Sequence, residues 1–116
     1  LHGKTVLLYF WAAWDAKSRK TNHKLTELYD KYKAKGFEIY AFSLDSHKQV
    51  WEKAIKLDKL HWINVSDLKN IYSPVIKLYQ VPEKLPYFYI IDEEGKILDK
   101  CADFEKIRIK LENHLN

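Results

Sequence analysis

The chain of 116 residues contains a single cysteine, Cys101. One cysteine excludes a disulfide bond within the chain and any metal site that needs several thiolates. The five histidines show no spacing typical of metal ligands, and no cysteine or paired carboxylate accompanies them. We therefore expect neither a metal nor another cofactor.

Long apolar runs are also missing. No segment approaches the roughly 18 apolar residues that a membrane-spanning helix needs, and no charged-then-apolar signal segment opens the chain. We expect residues 1–116 to form one domain. Because residue 1 lies only a few positions before an apolar strand, we also expect this domain to be part of a longer protein.

The excess of positive charge is small. Twenty Lys and Arg residues stand against 16 Asp and Glu, which gives a net charge of +4. The lysines are spread along predicted helices, which is typical of solvated helix faces. We therefore do not expect nucleic acid as a partner, although the pI is near 9.0.

Hydrophobic patterning predicts the order β-α-β-α-α-β-β-α. The strands are expected at residues 5–11, 37–44, 87–92 and 96–100, and the helices at about 15–34, 47–57, 73–79 and 103–115. Ser46 and Gln49 form a capping-box pattern before the second helix. The less regular residues 60–73 leave open a short edge strand at 61–65.

This order predicts an α/β fold. Two strands joined through a helix lie parallel with a right-handed crossover, whereas the last two strands form an antiparallel hairpin. We expect a four-stranded mixed sheet with helices on both faces, which is a three-layer α/β/α sandwich. Its functional edge is expected at the carboxyl ends of the parallel strands.

An elbow at residues 10–20, F-W-A-A-W-D-A-K-S-R-K, joins the first strand to a basic helix at that edge. Helix N-termini carry unpaired backbone N–H groups and favour negative charge. Aspartate is among the preferred N-cap residues. We expect Asp15 to cap the helix rather than to take part in catalysis.

Three segments resemble the thioredoxin superfamily: G-K-T-V-L-L-Y-F-W-A-A-W at 3–14, F-S-L-D at 42–45 and L-Y-Q-V-P-E-K-L-P-Y-F-Y-I-I-D-E-E-G-K-I at 78–97. They are most similar to bacterial extracytoplasmic thiol-disulfide oxidoreductases of the TlpA and ResA type. The resemblance covers nearly the whole chain. It implies a thioredoxin-like fold, a periplasmic or membrane-anchored location, and a cis-proline at Pro86 facing the active-site helix.

The elbow departs from this family in its chemistry. Active members carry W-C-x-x-C, where this chain has Trp14, Asp15, Ala16, Lys17 and Ser18. Thiol-disulfide exchange needs a thiolate at the first cysteine position and a second thiol to resolve the mixed disulfide. We therefore predict no catalytic residue at Asp15 or Ser18, and a redox-inactive domain.

Two functions remain open. The first is a peptide-binding or partner-binding module, because an extended peptide can pair with the backbone before Pro86 without any cysteine. The predicted groove residues are Trp14, Asp15, Lys17, Leu85, Pro86 and Tyr87, and Lys17, Arg19 and Lys20 favour acidic ligands. The second is a thiol-disulfide oxidoreductase or antioxidant enzyme that uses Cys101 or a cysteine outside this chain.

Cys101 has two interpretations of its own. It is expected at the end of the fourth strand, away from the elbow. A lone cysteine is most often a buried small residue, and we predict this role. The alternative is an exposed thiol that forms a mixed disulfide with a partner.

Overall fold

The computed structural model describes residues 3–69, 73–79, 81 and 84–116. Within these residues the chain forms a five-stranded sheet and four α-helices. In chain order the elements are β1 Thr5–Trp11, α1 Ala16–Tyr32, β2 Phe37–Ser43, α2 Lys48–Leu57, β3 Ile63–Ser66, α3 Pro74–Leu78, β4 Tyr87–Ile91, β5 Ile97–Cys101 and α4 Phe104–Leu115.

The sheet has the strand order β3-β2-β1-β4-β5. β1 pairs in parallel with β2, and β2 pairs in parallel with β3. β4 runs antiparallel to β1, and β5 runs antiparallel to β4. The register of β1 and β2 places Trp11 beside Ser43, so the loops that follow these strands leave the same edge of the sheet.

The predicted number of four strands is wrong, because β3 adds a fifth at the sheet edge. Its residues pair with β2 from Tyr40 to Ser43. The four residues of β3 alternate between apolar and polar, but the run is short, and all four are half-buried, so burial does not distinguish the two faces of this strand. The other predicted elements and the mixed α/β class are confirmed.

The sheet is covered on both faces. Every residue of β1 is buried, as expected for a central strand that packs on both sides. Leu7, Tyr9 and Trp11 belong to a core cluster that includes residues of α1, α2 and α4. Leu8 and Phe10 belong to a second cluster, against which residues of α3 pack. The predicted three-layer arrangement is therefore confirmed.

The helix ends differ slightly from the predicted positions. α1 ends at Tyr32 and continues as a 3₁₀ turn, Lys33–Lys35, before Gly36, whose φ of 79° is a left-handed conformation suited to glycine. α2 begins at Lys48 rather than at His47, and the Ser46 hydroxyl lies 3.1 Å from the His47 ring nitrogen Nδ1. The predicted capping box is therefore wrong.

Pro82, in the segment between α3 and β4, lies outside the described residues. None of the helices in the described ranges combines the length and the apolar character needed to cross a membrane.

Candidate functional site

The elbow is held together by Asp15 and Ser18. Asp15 has an extended backbone and is the N-cap of α1. Its Oδ2 accepts hydrogen bonds from the Ser18 backbone N–H at 2.9 Å and from the Ser18 hydroxyl at 2.8 Å. The Ala12 N–H donates to Ser18 Oγ at 3.3 Å, and Ser18 is fully buried. The predicted capping role of Asp15 is therefore present in the structure.

Asp45, just beyond β2, fixes the other side of the elbow. It is almost fully buried, and each of its carboxylate oxygens lies 3.0 Å from the Ala13 backbone nitrogen. The Ser43 hydroxyl donates a short hydrogen bond to the same carboxylate. A strand-terminal aspartate suggests a local turn, but here the carboxylate binds a backbone N–H of the neighbouring loop.

The Arg19 side chain forms an ion pair with a carboxylate of the same chain. Its Nε donates to Asp58 Oδ2 at 2.6 Å and its Nη2 donates to Asp58 Oδ1 at 2.9 Å. Asn22 Nδ2 donates to Asp58 Oδ2 at 3.0 Å. The prediction that Arg19 helps to attract acidic ligands therefore has no support in the geometry, because its guanidinium already holds a carboxylate.

A buried tyrosine joins this network to β1. The Tyr9 hydroxyl donates to Asn22 Oδ1 at 2.7 Å and lies 3.1 Å from the carbonyl oxygen of Ser18. Burial, and then the negative charges of Asp15 and Asp58, raise the pKa of Tyr9 well above its ordinary value. Tyr9 therefore stays a neutral hydrogen-bond donor beneath α1.

Trp14 is the exposed aromatic residue of the elbow. Its side chain is 59% exposed, whereas Trp11, Ala12 and Ala13 before it are buried. A large aromatic side chain in this position is available for contact with a ligand.

The segment before β4 approaches the same region. The Leu85–Pro86 peptide bond is cis, and Pro86 is buried. The side chain of Leu85 belongs to the core cluster on the α3 face of the sheet, and the half-buried side chain of Tyr87 packs against it. Of the residues predicted on this side of the groove, Pro86 alone lines the cavity described next.

An open cavity of about 650 Å³ lies between α1 and the start of α4. We call it the basic groove. It is lined by Lys17, Lys20, Thr21, Lys24, Lys84, Pro86 and residues 101–106. The structure thus brings together two predicted groove residues, Lys17 and Pro86, and places Trp14, Asp15, Leu85 and Tyr87 outside the lining.

Cys101 lies in the wall of the basic groove. It is half-buried, and its Sγ is 3.3 Å from the carbonyl oxygen of Asp103. The expectation that Cys101 lies away from the elbow region needs correction, since the same cavity is lined by Lys17 in the first turn of α1. Within the described ranges no group of three or more His, Cys, Asp or Glu side chains is arranged to hold a metal ion.

The model of the thioredoxin-like family matches residues 3–97, which is most of the chain. The chain therefore belongs to the thioredoxin-like family, as the resemblance of its sequence implies. The fold and the elbow between β1 and α1 agree with this class.

Individual relatives are thiol-disulfide oxidoreductases. The chain is 33% identical to the thiol-disulfide oxidoreductase ResA of Bacillus cereus, over 99% of its own length and 64% of that protein. It is 33% identical to the structure of a thiol-disulfide oxidoreductase from Bacteroides fragilis, with a TM-score of 0.87 and coverage of 97% of this chain and 82% of that one. The thioredoxin domain of a thiol-disulfide oxidoreductase from Bacteroides vulgatus is 34% identical, with a TM-score of 0.87 and coverage of 98% and 81%.

By sequence and fold the chain is thus a member of the thioredoxin-fold thiol-disulfide oxidoreductase family. It spans less than two thirds of the length of the Bacillus cereus relative.

Proposed function

We propose that this domain is a redox-inactive member of its family that binds a peptide or a protein partner. The observation that carries the proposal is the hydrogen-bonded pair of Asp15 and Ser18 at the two positions that match the family's cysteines. Thiol-disulfide exchange proceeds by attack of a thiolate on a disulfide sulfur. Neither a carboxylate nor a hydroxyl performs that step, so the elbow retains its structure without the family's reaction.

The backbone before β4 supports a binding role. The paired part of β4 begins at Tyr87, opposite Phe10. Among the residues that the structure describes, no backbone–backbone hydrogen bond involves Lys84 or Leu85. Backbone groups just beyond the paired part of a strand are suited to an extended peptide that adds to the sheet.

The exposed side chain of Trp14 is a second observation that supports peptide binding. Aromatic side chains contribute a large share of the binding energy at many interfaces, because they bury a large apolar area with few rotatable bonds. Trp14 is exposed on the turn that leads into α1. It is therefore positioned to cover a peptide that lies along the start of this helix.

A location outside the cytoplasm is part of the proposed function. Resemblance to extracytoplasmic oxidoreductases of the TlpA and ResA type supports a periplasmic or membrane-anchored protein in which this domain is an accessory module. Cell fractionation of the full-length protein tests this part, and recovery in the cytoplasmic fraction contradicts it.

The proposed redox inactivity is tested by the reduction of insulin disulfides in the presence of dithiothreitol. The domain is expected to add nothing to the rate without protein, whereas a thioredoxin with both cysteines accelerates the reaction. Turnover by the wild-type domain overturns the proposed inactivity.

A second candidate function uses Cys101, and its place in the wall shared with Pro86 favours this candidate. The Cys101 thiolate would attack one sulfur of a disulfide, form a mixed disulfide, and release the other sulfur as a thiolate. An external thiol would then be needed to release the domain, since the chain holds no second cysteine. Turnover that Cys101→Ser abolishes supports this candidate.

A further inference from the structure

The lysines of the basic groove converge from three parts of the chain. Lys17, Lys20 and Lys24 are spaced by three and four residues, so they share one face of α1. Lys84 comes from the segment before Pro86, and Lys106 comes from the first turns of α4. Positive charge therefore surrounds a concave surface and is not confined to one exposed helix face.

The protein itself neutralises little of this charge. In the described ranges, none of the three α1 lysines forms an ion pair, and neither does Lys106. Two carboxylates, those of Asp103 and Glu105, also line the groove, against five lysines, so an excess of positive charge remains. Asp103 Oδ1 accepts the backbone N–H of Glu105 at 3.0 Å as the cap of α4, and the Glu105 side chain pairs with Arg108 at 2.8 Å.

The lining between the lysines is less polar. Thr21 and Pro86 are buried, whereas Cys101 and Phe104 are half-buried. The Lys24 ammonium lies 5.8 Å from the centre of the Phe104 ring, which is within the range of a cation–π contact and connects α1 with α4. A ligand in the groove meets an apolar centre with ammonium groups around it.

A polypeptide fits this surface better than a nucleic acid does. A bound polypeptide extends naturally toward Lys84 and Leu85, where the backbone lies beyond the paired part of β4. Binding to nucleic acid rests on a large excess of positive charge along the phosphate backbone, whereas the net charge here is +4.

We infer that the basic groove binds an extended polypeptide segment rich in aspartate and glutamate. This inference rests on the proposed binding function and specifies the chemistry of its partner. Each lysine is a mobile point charge, so the groove selects for acidic character and not for one fixed arrangement of carboxylates.

Fluorescence anisotropy with two labelled peptides tests the inference. One is a short peptide of alternating glutamate and serine with a central tyrosine, and the other has glutamine in place of each glutamate. The acidic peptide is expected to bind at least about tenfold more tightly at low salt, and to lose most of this advantage at high salt. Equal binding of the two peptides overturns the acidic preference but leaves the proposed peptide binding intact. Binding of neither peptide overturns the inference, and the disulfide-reduction assay still tests the redox inactivity separately.

Charge reversal locates the interaction. The double variant Lys20→Glu/Lys24→Glu is expected to weaken binding of the acidic peptide by at least about tenfold, because two attractive contacts become repulsive. The matched control is Lys53→Glu/Lys56→Glu on α2, where both lysines are exposed and the change in net charge is the same. An equal loss in the two variants means that net charge alone governs binding, and it overturns the groove assignment.

Chemical-shift mapping on the wild-type domain provides a test that does not depend on the folding of any variant. Addition of the acidic peptide is expected to shift the backbone amide signals of Thr21, Cys101 and Phe104. Shifts confined to other surfaces overturn the assignment.

A single-stranded oligonucleotide with the same charge as the acidic peptide tests the choice of a polypeptide. Tighter binding of the oligonucleotide than of the acidic peptide contradicts that choice.

Discussion

The carboxylate of Asp15 and the hydroxyl of Ser18 are joined by a hydrogen bond of 2.8 Å, at the two positions that match the family's cysteines. The same carboxylate oxygen also accepts the Ser18 backbone N–H. Ser18 Oγ in turn receives the N–H of Ala12. The pair thus connects the end of β1 with the first turn of α1, so both residues support the shape of the elbow.

Asp15→Ala is expected to lower the free energy of unfolding by about 0.5 to 2 kcal/mol, which is the usual effect of losing an N-cap. Here the substitution also removes the acceptor for the buried Ser18 hydroxyl. Urea denaturation followed by circular dichroism measures the difference. Asp15→Asn is the matched control, because asparagine is also a good N-cap, and it is expected to retain most of the stability. An unchanged urea midpoint for Asp15→Ala contradicts the capping role.

The capping role of Asp15 could be predicted from the sequence because an N-cap acts within one helical turn. The role of Asp45 could not, since its partner Ala13 lies 32 residues away along the chain. Their contact depends on the parallel register that places Trp11 beside Ser43. A single sequence predicts that β1 and β2 are parallel, but it does not give the register that aligns particular residues.

The same limit explains the errors at Arg19 and Cys101. The partner of Arg19, Asp58, is 39 residues away at the end of α2, so the ion pair was not visible in the pattern of α1. Cys101 reaches the region of Lys17 because β5 leads directly into α4, whose first turn faces α1 across the basic groove. Local patterning predicts the type of each element, whereas these contacts depend on how the elements pack together in the fold.

Asp58→Asn is expected to lower the free energy of unfolding by about 2 kcal/mol. This value lies between the effect of exposed ion pairs, which is up to about 1 kcal/mol, and that of breaking a fully buried pair, which is about 3 to 5 kcal/mol. The intermediate value follows because the Asp58 side chain is 5% exposed and that of Arg19 is 34% exposed. Chemical denaturation at neutral pH measures the change. A loss below about 0.5 kcal/mol contradicts the role of this pair.

The same carboxylate makes stability depend on pH. Burial acts to raise the pKa of Asp58, but hydrogen bonds from Arg19 and Asn22 and the charge of Arg19 outweigh it and hold this pKa below its ordinary value. A carboxyl group with a lowered pKa contributes stability above its unfolded pKa of about 3.9, and loses that contribution as the pH falls through the folded pKa. The wild-type domain is therefore expected to lose stability below about pH 4, and Asp58→Asn to lose less over the same range.

Glu93 acts in the same acid range and provides the comparison. Hydrogen bonds from Thr5, from its own backbone and from His114 lower its pKa to about 2. Glu93→Gln is therefore expected to flatten the acid limb of the stability curve between about pH 4.5 and pH 2, independently of the change at Asp58. Urea unfolding of both single variants and of the double variant across this range measures the two contributions. An acid limb unchanged in the double variant contradicts both assignments.

Cys101 is expected to react with iodoacetamide in the native protein, but more slowly than in urea. The side chain is half-buried, and its thiol is positioned to donate a hydrogen bond to the Asp103 carbonyl oxygen. Mass spectrometry of the alkylated protein over time measures the two rates. Equal rates contradict the packing of Cys101 against the core, whereas complete protection in the native state excludes the second candidate function.

Restoring the two cysteines tests whether the family's site persists apart from its thiols. Asp15→Cys/Ser18→Cys, made with Cys101→Ser to remove the remaining thiol, is expected to gain disulfide-reductase activity in the insulin assay. The first cysteine would lie at the N-terminus of α1, where the helix lowers a thiol pKa. The second cysteine would lie within contact distance of the first, as the hydrogen bond between the Ser18 hydroxyl and the Asp15 carboxylate indicates. Asp15→Cys in the same Cys101→Ser background is the control, because one thiol there forms a mixed disulfide but cannot resolve it. If the triple variant folds and remains inactive, the surface around Pro86 has lost the family's substrate contacts, and the loss of function extends beyond the elbow.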